Sequence, residues 1–193
     1  MERDPPHFEA RDGHLFLDGH QFFLRGANWY GFEALVTMQK GTKRVAVTAA
    51  PGLAAHDGRR GQTEPGRVAM RQIVRHLRSQ RINAVRIAFT HDNLVYNPLA
   101  SEAFTSIHPD LAQLRYLDLI SEVIRAAAEQ GILVLLAAAC TAQRIGHRGL
   151  WFEEAHKTPP PIFSRGVVSQ SWKKLADTFC DSHWNLFAVD LQV

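Results

Sequence analysis

The chain has 193 residues, 46% of them hydrophobic and 21% charged, which is ordinary globular usage and excludes disorder throughout. Its formal net charge of +3 is too small to carry a nucleic-acid claim, and the surplus gathers at Arg59-Arg60 and between Arg67 and Arg81. Two cysteines, Cys140 and Cys180, cannot build a disulfide framework and show no Cys-x-x-Cys spacing. Two packed free thiols are therefore expected, with no metal and no cofactor.

The N-terminus from Met1 to His7 lacks the apolar run of a signal peptide, and no stretch of about 18 apolar residues suited to a bilayer occurs. The expectation is a soluble chain with neither a membrane nor a nucleic acid as partner, and its cellular location is not readable. Residues 1–13 are expected to be a tail and residues 14–193 one partial domain.

From His14 the chain reads as a hairpin. Leu15-Phe16-Leu17 and Gln21-Phe22-Phe23-Leu24 flank Asp18-Gly19, a dipeptide that tolerates the positive φ angles of a tight primed turn. An apolar strand then leads into Arg25-Gly26-Ala27-Asn28-Trp29, and Tyr30-Gly31-Phe32-Glu33 is expected to be a loop. The segment from about 40 to 66 is rich in Gly, Ala, Thr and Arg, without periodicity, and longer than loops in compact domains usually are. Its composition fits an irregular insertion, disordered or mistranslated.

Three further units repeat one pattern, an amphipathic helix followed by a short apolar strand. Met70, Ile73, Val74 and Leu77 mark the first helix, and Ala84-Val85-Arg86-Ile87-Ala88 its strand. Leu114, Leu117, Ile120 and Ile124 mark the second, which Gly131 ends before a strand from Ile132 to Leu136. Trp172, Leu175, Ala176 and Phe179 mark the third, and Leu186-Phe187-Ala188-Val189 its strand. Strands that are apolar at nearly every position, alternating with helices, imply an α/β chain with a parallel sheet covered by helices. A closed barrel of this kind needs eight strands and typically about 250 residues. Four strands look like half of one.

The strand ends carry a resemblance. Leu24-Arg25-Gly26-Ala27-Asn28-Trp29-Tyr30-Gly31-Phe32-Glu33, Asn83-Ala84-Val85-Arg86-Ile87, Gly131-Ile132-Leu133-Val134-Leu135-Leu136 and Leu186-Phe187-Ala188-Val189-Asp190-Leu191 occur in the order of the strand-end motifs of family 5 glycoside hydrolases, the cellulase or endoglucanase type. Asn97-Pro98-Leu99 and Leu111 to Ile120 resemble that family's linker and third helix, and Gly149-Leu150-Trp151-Phe152 its Leu-Trp-Tyr. The resemblance implies a (β/α)8 TIM-barrel fold, truncated after about the fourth strand and preceded by an N-terminal β-hairpin. It also implies a retaining O-glycosyl hydrolase acting on a β-glucan-type polysaccharide, from a family that is usually secreted.

The chain departs from the pattern at the chemistry. The third motif continues in the family into Asp-x-His, and those positions here are Ala137 and Ala139. The fourth runs on in the family to Asn-Glu-Pro, the Glu being the acid/base, and here Gln192 is followed by Val193. Retaining hydrolysis uses two carboxyl groups about 5 to 5.5 Å apart, so the chain is expected to be inactive. The alternatives are a non-catalytic carbohydrate-binding or decoy homologue, or a fragment of a gene model.

By resemblance, Arg86 is the guanidinium that supports the nucleophile, and without that carboxylate it is expected to be unpaired; the plainer reading is a strand-edge arginine paired with a nearby acid. Asn28, Trp29, Glu33 and Trp151 are the candidate sugar-binding residues. Trp29 and Trp151 fall in predicted loops, where an indole face can stack on a pyranose, against the plainer reading of core packing. Asn28 and Glu33 are equally readable as a turn former and a solvated acid. His91-Asp92 reads as a turn rather than a dyad, Glu153-Glu154-Ala155-His156 as too poor in partners for a metal, and Arg67, Arg71, Arg75 and Arg78 as a solvated helix face.

Overall fold

The computed structural model describes residues 6–33, 36–38, 44–46, 65–100, 108–139 and 165–191. At the N-terminus β1 (Phe8–Arg11), β2 (His14–Leu17) and β3 (His20–Gln21) form an antiparallel sheet in that order. Two successive Asp-Gly turns connect them, with φ of 51° and 74° at Asp12 and Gly13 and of 49° and 80° at Asp18 and Gly19. These are primed turns, whose twist matches that of the flanking strands. The tail expected over 1–13 is therefore corrected, since Phe8–Arg11 pairs residue for residue with His14–Leu17. The strand expected to reach Leu24 stops at Gln21.

Two short strands follow β4 (Gly26–Trp29): β5 (Val36–Met38) and β6 (Arg44–Ala46), which pair antiparallel. Arg44–Ala46 lies inside the segment expected to be irregular, and Gly66 already opens α1 (Gly66–Ser79). Residues 40–43 and 47–64 are outside the described residues.

The parallel sheet runs β4, β7 (Ala84–Phe89), β8 (Leu133–Ala138) and β9 (Leu186–Asp190), in sequence order and in one direction. Between the strands lie α1, α2 (His91–Tyr96), α3 (Tyr116–Glu129) and α4 (Arg165–Phe179). Such an array is the architecture of part of a (β/α) barrel, in which consecutive parallel strands are joined by covering helices.

Alternation along each strand sorts its side chains. Val85, Ile87 and Phe89 of β7 and Val134, Leu136 and Ala138 of β8 join one core with Met70 and Val74 of α1, Leu117, Ile120 and Ile124 of α3, and Leu175 and Phe179 of α4. Each such aliphatic side chain contributes about 1.5–3 kcal/mol when fully buried. The helix faces marked by the sequence spacing are those that pack, except that Ala176 is exposed. The third helix starts at Tyr116 rather than Leu111, because Pro109–Leu111 forms a separate 3-10 turn.

Polar side chains fix where elements begin. Asp110, on that turn, accepts from the N–H groups of Gly66 at 2.7 Å and Arg67 at 3.2 Å and so caps α1 from a distance. A Cβ at Gly66 would meet Leu111 Cδ1 at 2.3 Å, so this approach needs glycine. Asn97, left-handed at the end of α2, accepts from Leu117 N at 2.9 Å and caps α3. Asn83 donates to Phe23 O and accepts from Arg25 N, both at 2.7 Å, which ties β7 to the entry of β4. Asn185 does the same at β9, donating at 3.0 Å to both Ile124 O and Ile132 O. Phe8 rests on Phe187, the bulged residue of β9, with ring centroids 5.6 Å apart, so the N-terminal sheet reaches from the β4 side to the foot of β9.

Of the four arginines on the outer face of α1, Arg75 and Arg78 are exposed, as expected, while Arg67 and Arg71 pair with α3. Arg67 Nε lies 3.0 Å from Glu122 and Arg71 Nε 2.9 Å from Glu129. These pairs are partly exposed and worth at most about 1 kcal/mol each.

Candidate active-site face

In (β/α) barrels the functional groups stand at the C-terminal ends of the strands, where the connecting loops open. The register places Asn28 beside Arg86, and Arg86 beside Leu135. One step further along, Ala88, Ala137 and Asp190 are aligned across β7, β8 and β9. These residues have the opposite parity to Val85, Ile87, Val134 and Leu136, so they line the face turned away from the helices. The four strands of this sheet carry one guanidinium, Arg86, and one carboxylate, Asp190.

Those two charges meet. Arg86 Nη2 lies 3.6 Å from Asp190 Oδ2, both side chains being about one-third exposed. The expectation of an unpaired Arg86 is thereby corrected. A guanidinium on an apolar strand needs a counter-charge, and Asp190 of the last strand provides it. Asn28 Nδ2 donates to the Tyr30 hydroxyl at 3.3 Å, and Tyr30 is well exposed at the mouth of β4.

Trp29 is placed differently from its expectation. It is the last residue of β4 rather than a loop residue, and at 6% exposure it belongs to the core on the helix side of the sheet. Its indole N–H has no partner among the described residues. A ring so covered offers no stacking face, and core packing is the reading the structure gives. Trp151, Cys140 and the run Glu153 to His156 lie outside the described residues.

Glu33 closes its own loop, its Oε2 accepting from Gly31 N at 2.6 Å. The loop is also held from beneath. Phe32 is fully buried, and its carbonyl accepts from the Tyr116 hydroxyl and, at 3.4 Å, from Asn93 Nδ2. Burial pushes the Tyr116 phenol far above its usual range, with the Glu33 charge adding in the same direction against the opposing hydrogen bonds of Thr90 and Asn93. Tyr116 is therefore a neutral donor at any ordinary pH.

His91 opens α2 rather than a turn, with Thr90 as N-cap accepting from Asn93 N at 3.4 Å. It is buried between Phe89 and Trp172, away from the sheet's open face. Lys174 of α4 closes the other end of α2, donating to Leu94 O at 2.8 Å, and partial burial lowers its pKa. Among the described residues no group of three or more His, Cys, Asp or Glu side chains could hold a metal ion, and no helix is long and apolar enough to cross a membrane.

Asp190 is the participant to which sequence reasoning gave no role. Its signal was available. It closes the fourth motif, and counting alternate residues along each strand brings it to the face that carries Arg86.

The fold defines the class first: an α/β chain with the sequential parallel sheet of part of a (β/α) barrel. No family model and no curated protein matches the sequence. Solved structures do. An endocellulase from Pyrococcus horikoshii in complex with cellotetraose is similar over 100% of this chain and 44% of its own, at 22% identity and a TM-score of 0.67. The catalytic domain of the major endoglucanase from Xanthomonas campestris pv. campestris is similar over 64% of this chain and 33% of its own, at 19% identity and a TM-score of 0.51. The likeness is one of fold, and it falls on the endoglucanases whose strand-end motifs the sequence resembles. The chain spans less than half the length of these enzymes.

Proposed function

We propose that this chain is a family 5 type glycoside hydrolase barrel in part, supplying the Asn28, Arg86 and Asp190 side of a cleft for β-glucan-type polysaccharide. The observation that carries the reading is that Asn28, Arg86 and Asp190 share one face of a parallel sheet, with the Arg86 guanidinium, from the middle of β7, reaching Asp190 at the C-terminal end of β9, in a fold shared with endocellulases. Amide and guanidinium donors at such a mouth suit the hydroxyl groups of a sugar. The reaction assigned to the whole barrel is retaining hydrolysis of an internal O-glycosyl bond, with no cofactor.

The 193 residues alone do not perform it. The mechanism needs one protonated and one ionised carboxyl group at close range. The parallel strands present one carboxylate, Asp190, already engaged by Arg86, and have Ala137 and Ala139 where the resemblance leads to Asp and His. Those two alanines also favour a second reading, a carbohydrate-binding homologue that holds glucan without cleaving it.

Calorimetric titration of the chain with cellotetraose, beside an assay of reducing sugar released from carboxymethyl cellulose, tests the proposal. Saturable binding that Asn28→Ala weakens, without sugar release, is expected. No binding to cellotetraose would sink the glucan reading, and sugar release by the purified chain would sink the inactive one.

A further inference from the structure

We infer that Asp190 is a positioning residue for Arg86, drawing its guanidinium across β8 and fixing it there as a donor on the open face of the sheet. The inference deepens the glucan reading and rests on it for the ligand, though not for the positioning itself.

The two residues are not on neighbouring strands. Arg86 is level with Leu135 of β8, whereas Asp190 is level with Ala137, so the pair spans two strand spacings and two residues along the sheet. Each strand spacing is about 4.8 Å and each residue rises about 3.3 Å, so the guanidinium crosses most of that distance in an extended conformation. Its path passes between Leu135 and Ala137. Ala137 is fully buried and Ala88 beside it nearly so, and their methyl groups leave the passage low enough for an arginine stem to lie over them. A larger residue at 137 would stand in that path.

The contact is too weak to explain as a stabilising device. At 3.6 Å it is a charge pair longer than a direct hydrogen bond, and with both groups about one-third exposed it is worth little to folding. What it does supply is direction. An arginine on a strand has several rotamers open to it, and the fixed charge on β9 selects those that reach across the sheet.

The test uses the whole chain and four forms: wild type, Asp190→Asn, Asp190→Glu and Arg86→Lys. The guanidinium resonances of Arg86, assigned by their loss in Arg86→Lys, report whether rotation about its terminal bonds is restricted. Restricted rotation in wild type, free rotation in Asp190→Asn and recovery in Asp190→Glu are expected, with all four melting temperatures within a few degrees. Cellotetraose affinity should fall by about tenfold in Asp190→Asn and recover in part in Asp190→Glu. Identical guanidinium signals in wild type and Asp190→Asn would overturn the positioning role. If wild type binds no cellotetraose, the glucan reading fails alone, and the guanidinium signal still decides this one.

Discussion

His91 Nδ1 lies 2.5 Å from Ser171 Oγ and joins α2 to α4. Ser171 Oγ also donates to Val168 O at 2.9 Å, so the contact is tied into the first turns of α4. Burial lowers the His91 pKa from 6.5 to about 4. As pH falls between those two values, the unfolded chain takes up a proton that the folded chain refuses, and stability is lost across that window and unaffected above it. Burial, aided by the charge of Arg125 and opposed by the Phe179 carbonyl, lowers His183 as well and adds to the same slope. The melting temperature is therefore expected to drop from pH 7 to pH 4.5, and to drop less in His91→Gln. Equal drops in both proteins would remove His91 from the account.

Arg81 and Gly131 occupy the same place after α1 and α3, two residues beyond the helix end, with φ of 61° and 65°. Glycine adopts this left-handed conformation freely, whereas a side chain costs about 1 kcal/mol there. Arg81→Gly should raise the unfolding free energy by about that amount in urea titration, at unchanged denaturant slope. A loss of stability would show that the arginine side chain makes up for its strain.

Asn185 is fully buried and ties the body of α3 to the residue before β8 through Ile124 O and Ile132 O. Asn185→Ala removes both bonds from a buried site and should cost about 1–3 kcal/mol. Asn83→Ala, in the corresponding bridge at a more exposed site, should cost less. The reverse order in chemical denaturation would contradict the bridging role assigned to Asn185.

The four parallel strands and the three long helices were legible because their apolar periodicity is strong, and tertiary packing agreed with it at Met70, Ile120 and Leu175. What escaped depended on parity or on repetition of a short signal. Trp29 was placed in a loop, although counting alternate residues from Ala27 assigns it to the core side and Asn28 to the open side. The partner of Arg86 is not legible in sequence because it sits two strands away, a relation that appears once strand order and register are known together. Asp12-Gly13 carries the same turn chemistry as Asp18-Gly19, yet a strand of four residues before it, beginning with a single aromatic, gives too little alternation to read. The helix at His91 is only six residues long, and its Thr90 cap is a weaker signal than the His-Asp pair that suggested a turn.

On the proposed function, the face bearing Asn28, Arg86 and Asp190 meets a β-glucan chain. Titrating the 15N-labelled chain with cellotetraose, while following its assigned backbone amides, tests it most directly. Saturable shifts are expected at Asn28 to Gly31, Arg86 to Thr90 and Ala188 to Leu191, in the C-terminal halves of β4, β7 and β9. Shifts confined to the N-terminal sheet or to the α1 and α3 surface, or no shifts at millimolar cellotetraose, would contradict it.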